Sequence, residues 1–544
     1  MHDHQRRDRA GNPVTSIPNG GDSVVSALAA CGVDTVFGIP ASYTIEIYDA
    51  LARDGRFRSI VARNEQAAAF MADGYARRTG KPGVVVVTGG PGLGNTVTGL
   101  QTAYADSSPL VVIASDLEPA QRSEQPLGLP HEAVDQAGLA AATGAIVARA
   151  DDPGSIRTSV CGTIAQSLSG RNRPGVVLIS RSAMEAPASD EPDVTELPEA
   201  TPSTATYKEL LEAVDLLRTA VDPLVLVGAG VAGARAEDEL ESFLALSGFP
   251  YVTTVPGSSS ANRSGNWLGV LDNPTSRKRL SSADVVLALG TSFGAATTKS
   301  WTLKISGSLI HVDIDPRSLG QHYQPRLAIE EDARSFLVSL TSLFAESAPP
   351  APQISTEANQ PLLTHRWIAP IESALPKTDA TICVDVTMAS RWIPGGISLG
   401  PTRKLMMPWN FMTLGWAYAA ALGTQAAVPD DTVLAVMGDG GALFTIGELA
   451  TAVDHQLPVV LLVFNNRSYG IIADLQDKVC DGRRFGVDLG YVDFCSVANA
   501  FGLSWHRAKT PEELETALKK SFTAREPTVI EALVEISDFG AEST

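Results

Sequence analysis

The sequence lacks any long, uninterrupted hydrophobic run. In its 544 residues, no apolar stretch approaches the roughly 18 residues that a membrane-spanning helix requires. The N-terminal stretch MHDHQRRDRAGNPVTS has no apolar core of the kind found in signal peptides. These absences predict a cytoplasmic protein without a membrane partner.

Cysteine and positive charge are also scarce. The cysteines are scattered along the chain without CxxC spacing, and they are Cys31, Cys161, Cys383, Cys480 and Cys495. Their odd number and wide separation favour reduced thiols over a disulfide framework. The formal net charge of -19 argues against a nucleic acid as a binding partner. A hydrophobic fraction of 44% is typical of a globular protein with a large core.

Short apolar runs alternate with alanine-rich, helix-like segments along most of the chain. This alternation predicts an α/β fold in which helices cover both faces of parallel sheets. We expect three such doubly wound parallel-sheet domains, at residues 16–183, 207–345 and 362–538. Residues 184–206 and 346–361 are rich in proline and polar residues and have the composition of linkers. Residues 1–15 are polar, and we expect this N-terminus to be flexible.

One stretch of the third segment combines two strand-like runs with oxygen-bearing side chains. It begins at Val436 and reads VMGDGGALFTIGELATAVDHQLPVVLLVFNNRSYG. Asp439 follows the first apolar run, Asn466 follows the second, and the residues between have helical spacing. A right-handed crossover makes the two strands parallel, so their carboxyl ends should meet at one edge of a sheet.

That arrangement predicts a site for a metal ion and a phosphate. Carboxylate and amide oxygens suit a hard cation such as Mg²⁺, which commonly keeps phosphate oxygens and water as its other ligands. Gly440 and Gly441 would let the backbone approach a phosphate at the start of a helix. The alternative interpretation is two unrelated tight turns, one at the Gly-Asp-Gly sequence and one at the Asn-Asn sequence.

These motifs resemble those of a known family. Gly438-Asp439-Gly440, followed by 24 residues and Asn465-Asn466, is similar to the thiamine-diphosphate binding motif. The stretches GVDTVFGIPAS, RNEQAAAFMADGYARRTGKPG and NFMTLGWAYAAALG resemble the group of acetolactate synthase, pyruvate oxidase and benzoylformate decarboxylase. The resemblance implies a pyrimidine-binding domain, a central domain and a diphosphate-binding domain in that order. It also implies thiamine diphosphate and Mg²⁺ as cofactors.

The resemblance assigns roles on the pyrimidine side of the cofactor. Glu65, in RNEQAAAF, matches the catalytic glutamate that hydrogen-bonds ring N1' and promotes the imino form of the aminopyrimidine. Leu414, in MTLG, matches the bulky aliphatic residue beneath the two rings. Backbone groups of Met412 and Leu414 would contact the pyrimidine. Taken alone, Leu414 would be assigned to core packing, and Glu65 to the favourable start of a helix.

On the diphosphate side, the resemblance implies a metal held by Asp439, Asn466 and the backbone carbonyl of Ser468. The segment DVTMAS matches a diphosphate-contacting segment, although the family's usual glutamine and histidine are missing there. Cofactor contacts are implied for Pro40, Thr387, Met388, Gly440, Gly441, Tyr469 and Gly470.

Three positions depart from the named relatives. Acetolactate synthases usually have histidine before the catalytic glutamate, whereas this chain has Asn64. Their FQE segment appears here as Pro130-His131-Glu132, so we expect His131 to face the substrate as a catalytic acid or base, since imidazole exchanges protons near neutral pH. The alternative for His131 is a solvated loop residue. Benzoylformate decarboxylase has a histidine where Thr88 stands.

A second glycine motif lies in the central segment. Gly228, Gly230 and Gly233 follow PLVLV with the spacing of a dinucleotide fingerprint. The next strand, YVTTV, does not end in the acidic residue that NAD binding requires. The flavin-proximal segments of acetolactate synthase and pyruvate oxidase are not matched. We therefore expect a structural central domain, with FAD as the alternative.

Together these features imply an enzyme that acts on a 2-oxo acid. C2 of the thiazolium would add to the ketone, carbon dioxide would leave, and the enamine would be protonated or added to an aldehyde or keto acceptor. Overall likeness favours carboligation of the acetolactate type over plain decarboxylation. The alternatives are a flavin-dependent oxidase and a non-catalytic, cofactor-binding regulatory subunit. The family's active site lies between subunits, so we expect a homodimer or homotetramer.

Overall fold

A computed structural model of the protein describes residues 17–122, 127–188, 203–260, 266–346, 365–400 and 402–539. The predicted flexible N-terminus at residues 1–15 and most of the two predicted linkers lie outside these residues. The described chain forms three six-stranded parallel sheets with interleaved helices. This confirms the predicted fold class.

The first sheet has the strand order β2-β1-β3-β4-β6-β5. The strands are β1 (Thr35–Gly38), β2 (Arg58–Val61), β3 (Gly83–Val87), β4 (Leu110–Asp116), β5 (Ile146–Ala150) and β6 (Gly175–Ser180). The helices are α1 (Gly20–Ala30), α2 (Ile45–Asp54), α3 (Glu65–Thr79), α4 (Pro91–Asp106), α5 (Gln136–Ala141), α6 (Ile156–Leu168) and α7 (Arg181–Glu185).

The second sheet has the order β12-β11-β10-β7-β8-β9. Its strands are β7 (Pro223–Val227), β8 (Tyr251–Thr253), β9 (Trp267–Val270), β10 (Val285–Leu289), β11 (Ser308–Asp313) and β12 (Leu327–Glu330). The helices are α8 (Tyr207–Thr219), α9 (Ala229–Gly233), α10 (Glu237–Ser247), α11 (Pro274–Ser282), α12 (Ala295–Thr298) and α13 (Ala333–Glu346).

The third sheet has the order β14-β13-β15-β16-β18-β17. Its strands are β13 (Ala380–Val384), β14 (Arg403–Met406), β15 (Thr432–Gly438), β16 (Val460–Asn465), β17 (Ser504–Ala508) and β18 (Thr528–Leu533). The helices are α14 (Ala369–Ala374), α15 (Ile393–Gly396), α16 (Trp416–Ala427), α17 (Asp439–Ala442), α18 (Leu449–Asp454), α19 (Gly470–Val479), α20 (Phe494–Ala500) and α21 (Pro511–Ala524).

Helices α3 and α16 join the first and third units through a shared core. Both are rich in alanine, and most of their side chains are buried. Their axes come so close that a Cβ on Gly74 would overlap the backbone of Ala420, and a Cβ on Gly423 would overlap the Met71 carbonyl. The glycines therefore permit backbone contact between the two helices, which fixes how the two sheets are placed.

Two further expectations concern thiols and membranes. All five cysteines are free in the structure, which agrees with the prediction of reduced thiols. Within the described ranges, no helix combines the length and the apolar character that crossing a bilayer requires.

Candidate active site

The Asp-containing and Asn-containing ends of the long motif meet at the carboxyl edge of the third sheet. Strand β15 ends at Gly438 and β16 ends at Asn465, and the two strands pair in parallel with Gly438 opposite Phe464. Asp439 and Asn466 are therefore the first residues beyond two neighbouring strands, as the sequence predicted. The predicted helix between them is interrupted: α17 ends at Ala442, and α18 begins only at Leu449.

Asp439 is a buried carboxylate surrounded by backbone donors. Its side chain is only 5% exposed, and burial raises its pKa to about 6, although the backbone N–H groups of Asn466 and Ser468 lower it. The Asn466 amide oxygen accepts a hydrogen bond of 3.1 Å from the Ser468 backbone N–H. Carboxylate, amide and carbonyl oxygens are thus concentrated in one small region, which is the donor chemistry that Mg²⁺ prefers.

A cavity of about 260 Å³ opens beside these groups. It is lined by eleven of the residues predicted to hold the cofactor or its metal: Thr387, Met388, Met412, Leu414, Asp439, Gly440, Gly441, Asn466, Ser468, Tyr469 and Gly470. Four segments contribute these residues, and they follow strands β13, β14, β15 and β16. The structure therefore brings together the residues predicted for the diphosphate side and two of those predicted for the pyrimidine side, Met412 and Leu414.

Glycines make room for a ligand in this cavity. A Cβ on Gly440 would lie 2.5 Å from the Tyr469 ring, and one on Gly470 would lie 2.7 Å from Asn466 Nδ2 and 2.8 Å from Met388 Sδ. The cradle and its oxygen donors fit a metal-bound diphosphate at the start of a helix.

The segment that carries Met412 and Leu414 is held by a residue that sequence reasoning missed. The Asp385 carboxylate accepts a hydrogen bond of 2.9 Å from the Gly415 N–H, and Thr445 Oγ1 donates to the Gly415 carbonyl. Gly415 and Met412 both have positive φ, 82° and 55°. Burial raises the pKa of Asp385 to about 7. Its position directly after β13, within the quoted DVTMAS, was the available clue.

Glu65 lies at the edge of the first sheet, as the first residue of α3. The Asn64 side chain caps this helix by accepting from the Gln66 N–H at 2.8 Å. The Glu65 carboxylate is half-buried and accepts a hydrogen bond of 2.8 Å from Asn95 Nδ2 on α4. Asn95 was not predicted, and nothing in the sequence around it indicated this contact.

His131 is not an isolated loop residue. Its Nδ1 lies 2.7 Å from Thr88 Oγ1, and its ring packs on Tyr43 with centroids 5.1 Å apart. A Cβ on Gly92 would lie 2.9 Å from Thr88 Cγ2 and 3.7 Å from Glu65 Oε1. The His131–Thr88 pair and the Glu65 carboxylate therefore flank the same turn of α4.

The loop that carries His131 is anchored at several points. The Glu132 carboxylate accepts from the backbone N–H groups of Leu127 and Leu129 at 2.7 and 2.9 Å. His131 itself has φ of 60°. Pro40, predicted as a cofactor contact, is exposed just beyond the end of β1. These residues gather at the carboxyl edge of the first sheet, where open α/β sheets bind their ligands.

The structure does not place Glu65 and His131 in the diphosphate cavity. All of the described residues that line this cavity belong to the third unit. Within one described chain, Glu65 and His131 therefore form one half-site, and the cavity, which includes Met412 and Leu414, forms the other.

The glycine motif of the central unit lies at the carboxyl edge of the second sheet. Gly230 and Gly233 border a cleft of about 580 Å³ between the three units, and Gly228 packs on Gly290 at its floor. Asp313, at the end of β11, also lines this cleft. FAD in this cleft stays the alternative stated above, and the absorbance spectrum of the purified protein tests it.

Comparison with known proteins extends over almost the whole chain. Three thiamine pyrophosphate enzyme models match: the N-terminal TPP binding domain at residues 18–139, the central domain at 210–340 and the C-terminal TPP binding domain at 385–532. A protein named "probable 2-ketoarginine decarboxylase" from Pseudomonas aeruginosa is 34% identical over 533 residues, covering 94% of this chain and 93% of the relative.

Acetolactate synthases are also similar. The large subunit of isozyme 3 from Escherichia coli is 30% identical over 538 residues, with 92% of each chain covered. The large subunit from Haemophilus influenzae is 28% identical over 540 residues, covering 93% of this chain and 92% of the relative. Because all three family domains occur in the order of the three sheets, the chain belongs to the thiamine pyrophosphate enzymes, and it is an enzyme that acts on 2-oxo acids.

Proposed function

We propose that the protein binds thiamine diphosphate through Mg²⁺ and decarboxylates a 2-oxo acid, with His131 as the group that returns a proton to the product. The observation that supports this proposal is the presence of two complementary half-sites in each chain. One is the oxygen-rich, glycine-lined cavity around Asp439, and the other is the sheet edge that presents Glu65 and His131.

The cofactor supplies a carbon nucleophile and an electron sink for the departing carboxylate. The protein's own groups hold and orient it. Asp439, Asn466 and the Ser468 carbonyl would ligate Mg²⁺, and Leu414 would support the two rings from below. Glu65 would share a proton with N1' of the pyrimidine.

The imidazole of His131 supports one of the two reactions that can follow the loss of carbon dioxide. Acetolactate synthases carry FQE where this chain has Pro130-His131-Glu132, so an ionisable imidazole takes the place of an amide. An imidazole held by Thr88 at the substrate side can deliver a proton after carbon dioxide leaves. This supports protonation, and hence plain decarboxylation, as the main outcome.

Addition to an acceptor is the second candidate outcome. The similarity to acetolactate synthases over more than nine-tenths of the chain supports it. Protonation and addition to an acceptor would use the same cofactor-holding residues. Only the identity of the products distinguishes the two reactions.

The complete site requires a second copy of the chain. Among the described residues, none from the pyrimidine-binding unit lines the diphosphate cavity, and a partner subunit would supply Glu65 and His131 to it. A homodimer is then the smallest active form, and a homotetramer would contain two such pairs.

The test is a panel of 2-oxo acids, including 2-ketoarginine, whose side chain is cationic, and pyruvate, whose side chain is an uncharged methyl group, with and without aldehyde acceptors. Released carbon dioxide and the products are measured by mass spectrometry in the presence of thiamine diphosphate and Mg²⁺. We expect an aldehyde product from at least one acid, and no turnover in Glu65→Gln, which should still bind cofactor. Normal turnover in Glu65→Gln would contradict the role of Glu65.

A further inference from the structure

The start of helix α3 is held by a carboxylate from another part of the chain. Glu448, from the diphosphate-binding unit, is 1% exposed. Its Oε1 accepts hydrogen bonds from the backbone N–H groups of Arg63 at 3.0 Å and Asn64 at 3.1 Å. These two residues directly precede Glu65, so the bonds determine where α3 begins.

The neighbouring contacts reinforce this hold. Thr451 Oγ1 donates to Glu448 Oε2 at 2.6 Å, which orients the carboxylate. His455 Nε2 accepts from the Val61 N–H at 3.0 Å. The backbone between β2 and α3 is thus hydrogen-bonded to residues 448–455 of the other unit.

From these contacts we propose that Glu448 is a positioning residue for Glu65, acting through the backbone of Arg63 and Asn64. Glu448 does not line the diphosphate cavity, so it orients the catalytic carboxylate without touching the cofactor. The inference rests on the proposed role of Glu65.

Energetics support an active role for the carboxylate. A small apolar residue at position 448 would leave the Arg63 and Asn64 N–H groups without their acceptor from the diphosphate-binding unit. The start of α3 would shift or fray to reach water, and Glu65 would move with it. A displacement of about 1 Å at a reacting group can lower a rate by roughly a hundredfold.

Burial raises the pKa of Glu448, whereas its bonds to Thr451, Arg63 and Asn64 lower it. The hydrogen bonds need an acceptor oxygen, not a charge. Glutamine can present its amide oxygen to Arg63 and Asn64, and its NH₂ group can donate to Thr451. Glu448→Gln is therefore the conservative variant that should restore the function lost in Glu448→Ala.

The experiment compares Glu448→Ala, Glu448→Gln and the control Asp431→Ala. Asp431 forms an ion pair of 2.8 Å with Arg78 in the last turn of α3, so the control removes a contact between the same two units at the far end of the helix. Amide hydrogen exchange is measured at residues 63–66 without cofactor. The deuterium exchange rate of the cofactor's C2 proton and the cofactor Kd are measured in the loaded enzyme.

We expect Glu448→Ala to speed amide exchange at residues 63–66 and to slow C2 exchange by about tenfold or more, with cofactor Kd changed less than about threefold. Glu448→Gln and Asp431→Ala should both keep wild-type C2 exchange. If C2 exchange in Glu448→Ala equals wild type while Glu65→Gln abolishes it, this inference is wrong and the proposed function stands. If Glu65→Gln also exchanges normally, the proposed function itself fails.

Discussion

At the residue scale, the most informative contact is the one between His131 and Thr88. The family position that holds a histidine in benzoylformate decarboxylase is a threonine here, and its hydroxyl binds an imidazole that arrives from a separate loop. Ser115 Oγ lies 3.5 Å from Thr88 Oγ1 and accepts from the Gly89 N–H. Thr88 thereby links the ring to the ends of β3 and β4, which fixes its orientation.

This contact yields a prediction for Thr88. Thr88→Val keeps the volume but removes the hydroxyl, so His131 Nδ1 loses the hydrogen-bond partner that orients the ring. We expect kcat to fall about tenfold with KM nearly unchanged, together with an altered pH–rate profile. Thr88→Ser should retain both the rate and the profile. A wild-type kcat and pH–rate profile in Thr88→Val would contradict the catalytic role of His131 and favour the alternative, a solvated loop residue.

Asp439 gives a prediction about pH. Its pKa is raised to about 6 by burial, so the folded apoprotein binds this proton more tightly than the unfolded chain does. The stability of the apoprotein therefore falls as the pH rises from 3.8 to about 6 and stays at the lower level above it. A divalent cation removes this penalty because it binds the carboxylate form.

We expect Mg²⁺ and cofactor to raise the melting temperature strongly near pH 7.5, and much less at about pH 5.5, where a proton competes with the metal. Asp439→Asn should weaken the stabilisation at both pH values and abolish most of its pH dependence. Differential scanning fluorimetry measures both quantities. An equal shift at the two pH values in the wild-type protein would contradict the metal assignment of Asp439.

At the scale of elements, the crossing of α3 and α16 is the most constrained contact. Gly74 and Gly423 let the two backbones touch, and a Cβ at Gly423 would overlap the Met71 carbonyl oxygen. Because that obstacle is backbone within a buried helix, it cannot move aside as a flexible side chain could.

Gly423→Ala should therefore lower the thermal midpoint by several degrees and weaken cofactor binding, since Leu414 precedes α16 and Glu65 begins α3. The matched control is Gly162→Ala on α6, where a Cβ meets no atom within 4 Å. This control should leave the midpoint unchanged or raise it, because alanine favours helix. Equal midpoints for the two variants would show that the crossing tolerates a side chain.

At the scale of the whole molecule, the two half-sites raise the question of which chains form one active site. Mixing Glu65→Gln and Asp439→Ala subunits answers it. If the site forms between subunits, each mixed dimer has one doubly defective site and one intact site. Random mixing makes half of the dimers mixed, so about a quarter of wild-type activity should return.

If Glu65 and Asp439 of the same chain served one cofactor, mixing would restore nothing. The control is the mixture of either variant with itself after the same dissociation and reassociation. Analytical ultracentrifugation confirms that dimers re-form in every sample.

The sequence by itself determined the α/β class, the buried strands and the cofactor motif. Continuous apolar runs such as those of β3, β7 and β16 are typical of interior parallel strands. Strands β5, β9, β12, β14 and β17 each lie at the edge of a sheet, and none of them is a continuous run of Val, Ile and Leu in the sequence. An edge strand is paired on one side only, so its side chains need not be uniformly apolar, and β12 indeed alternates between buried and exposed residues.

Only the tertiary structure decided which residues support the site. Asp385, Asn95 and Glu448 each act on a partner that is 30 or more residues away in the chain. A carboxylate or amide in a sequence does not indicate its partner, because such contacts form only when separate strands and helices pack. The sequence therefore indicated which residues would hold the cofactor. The contacts that orient those residues depend on the tertiary structure.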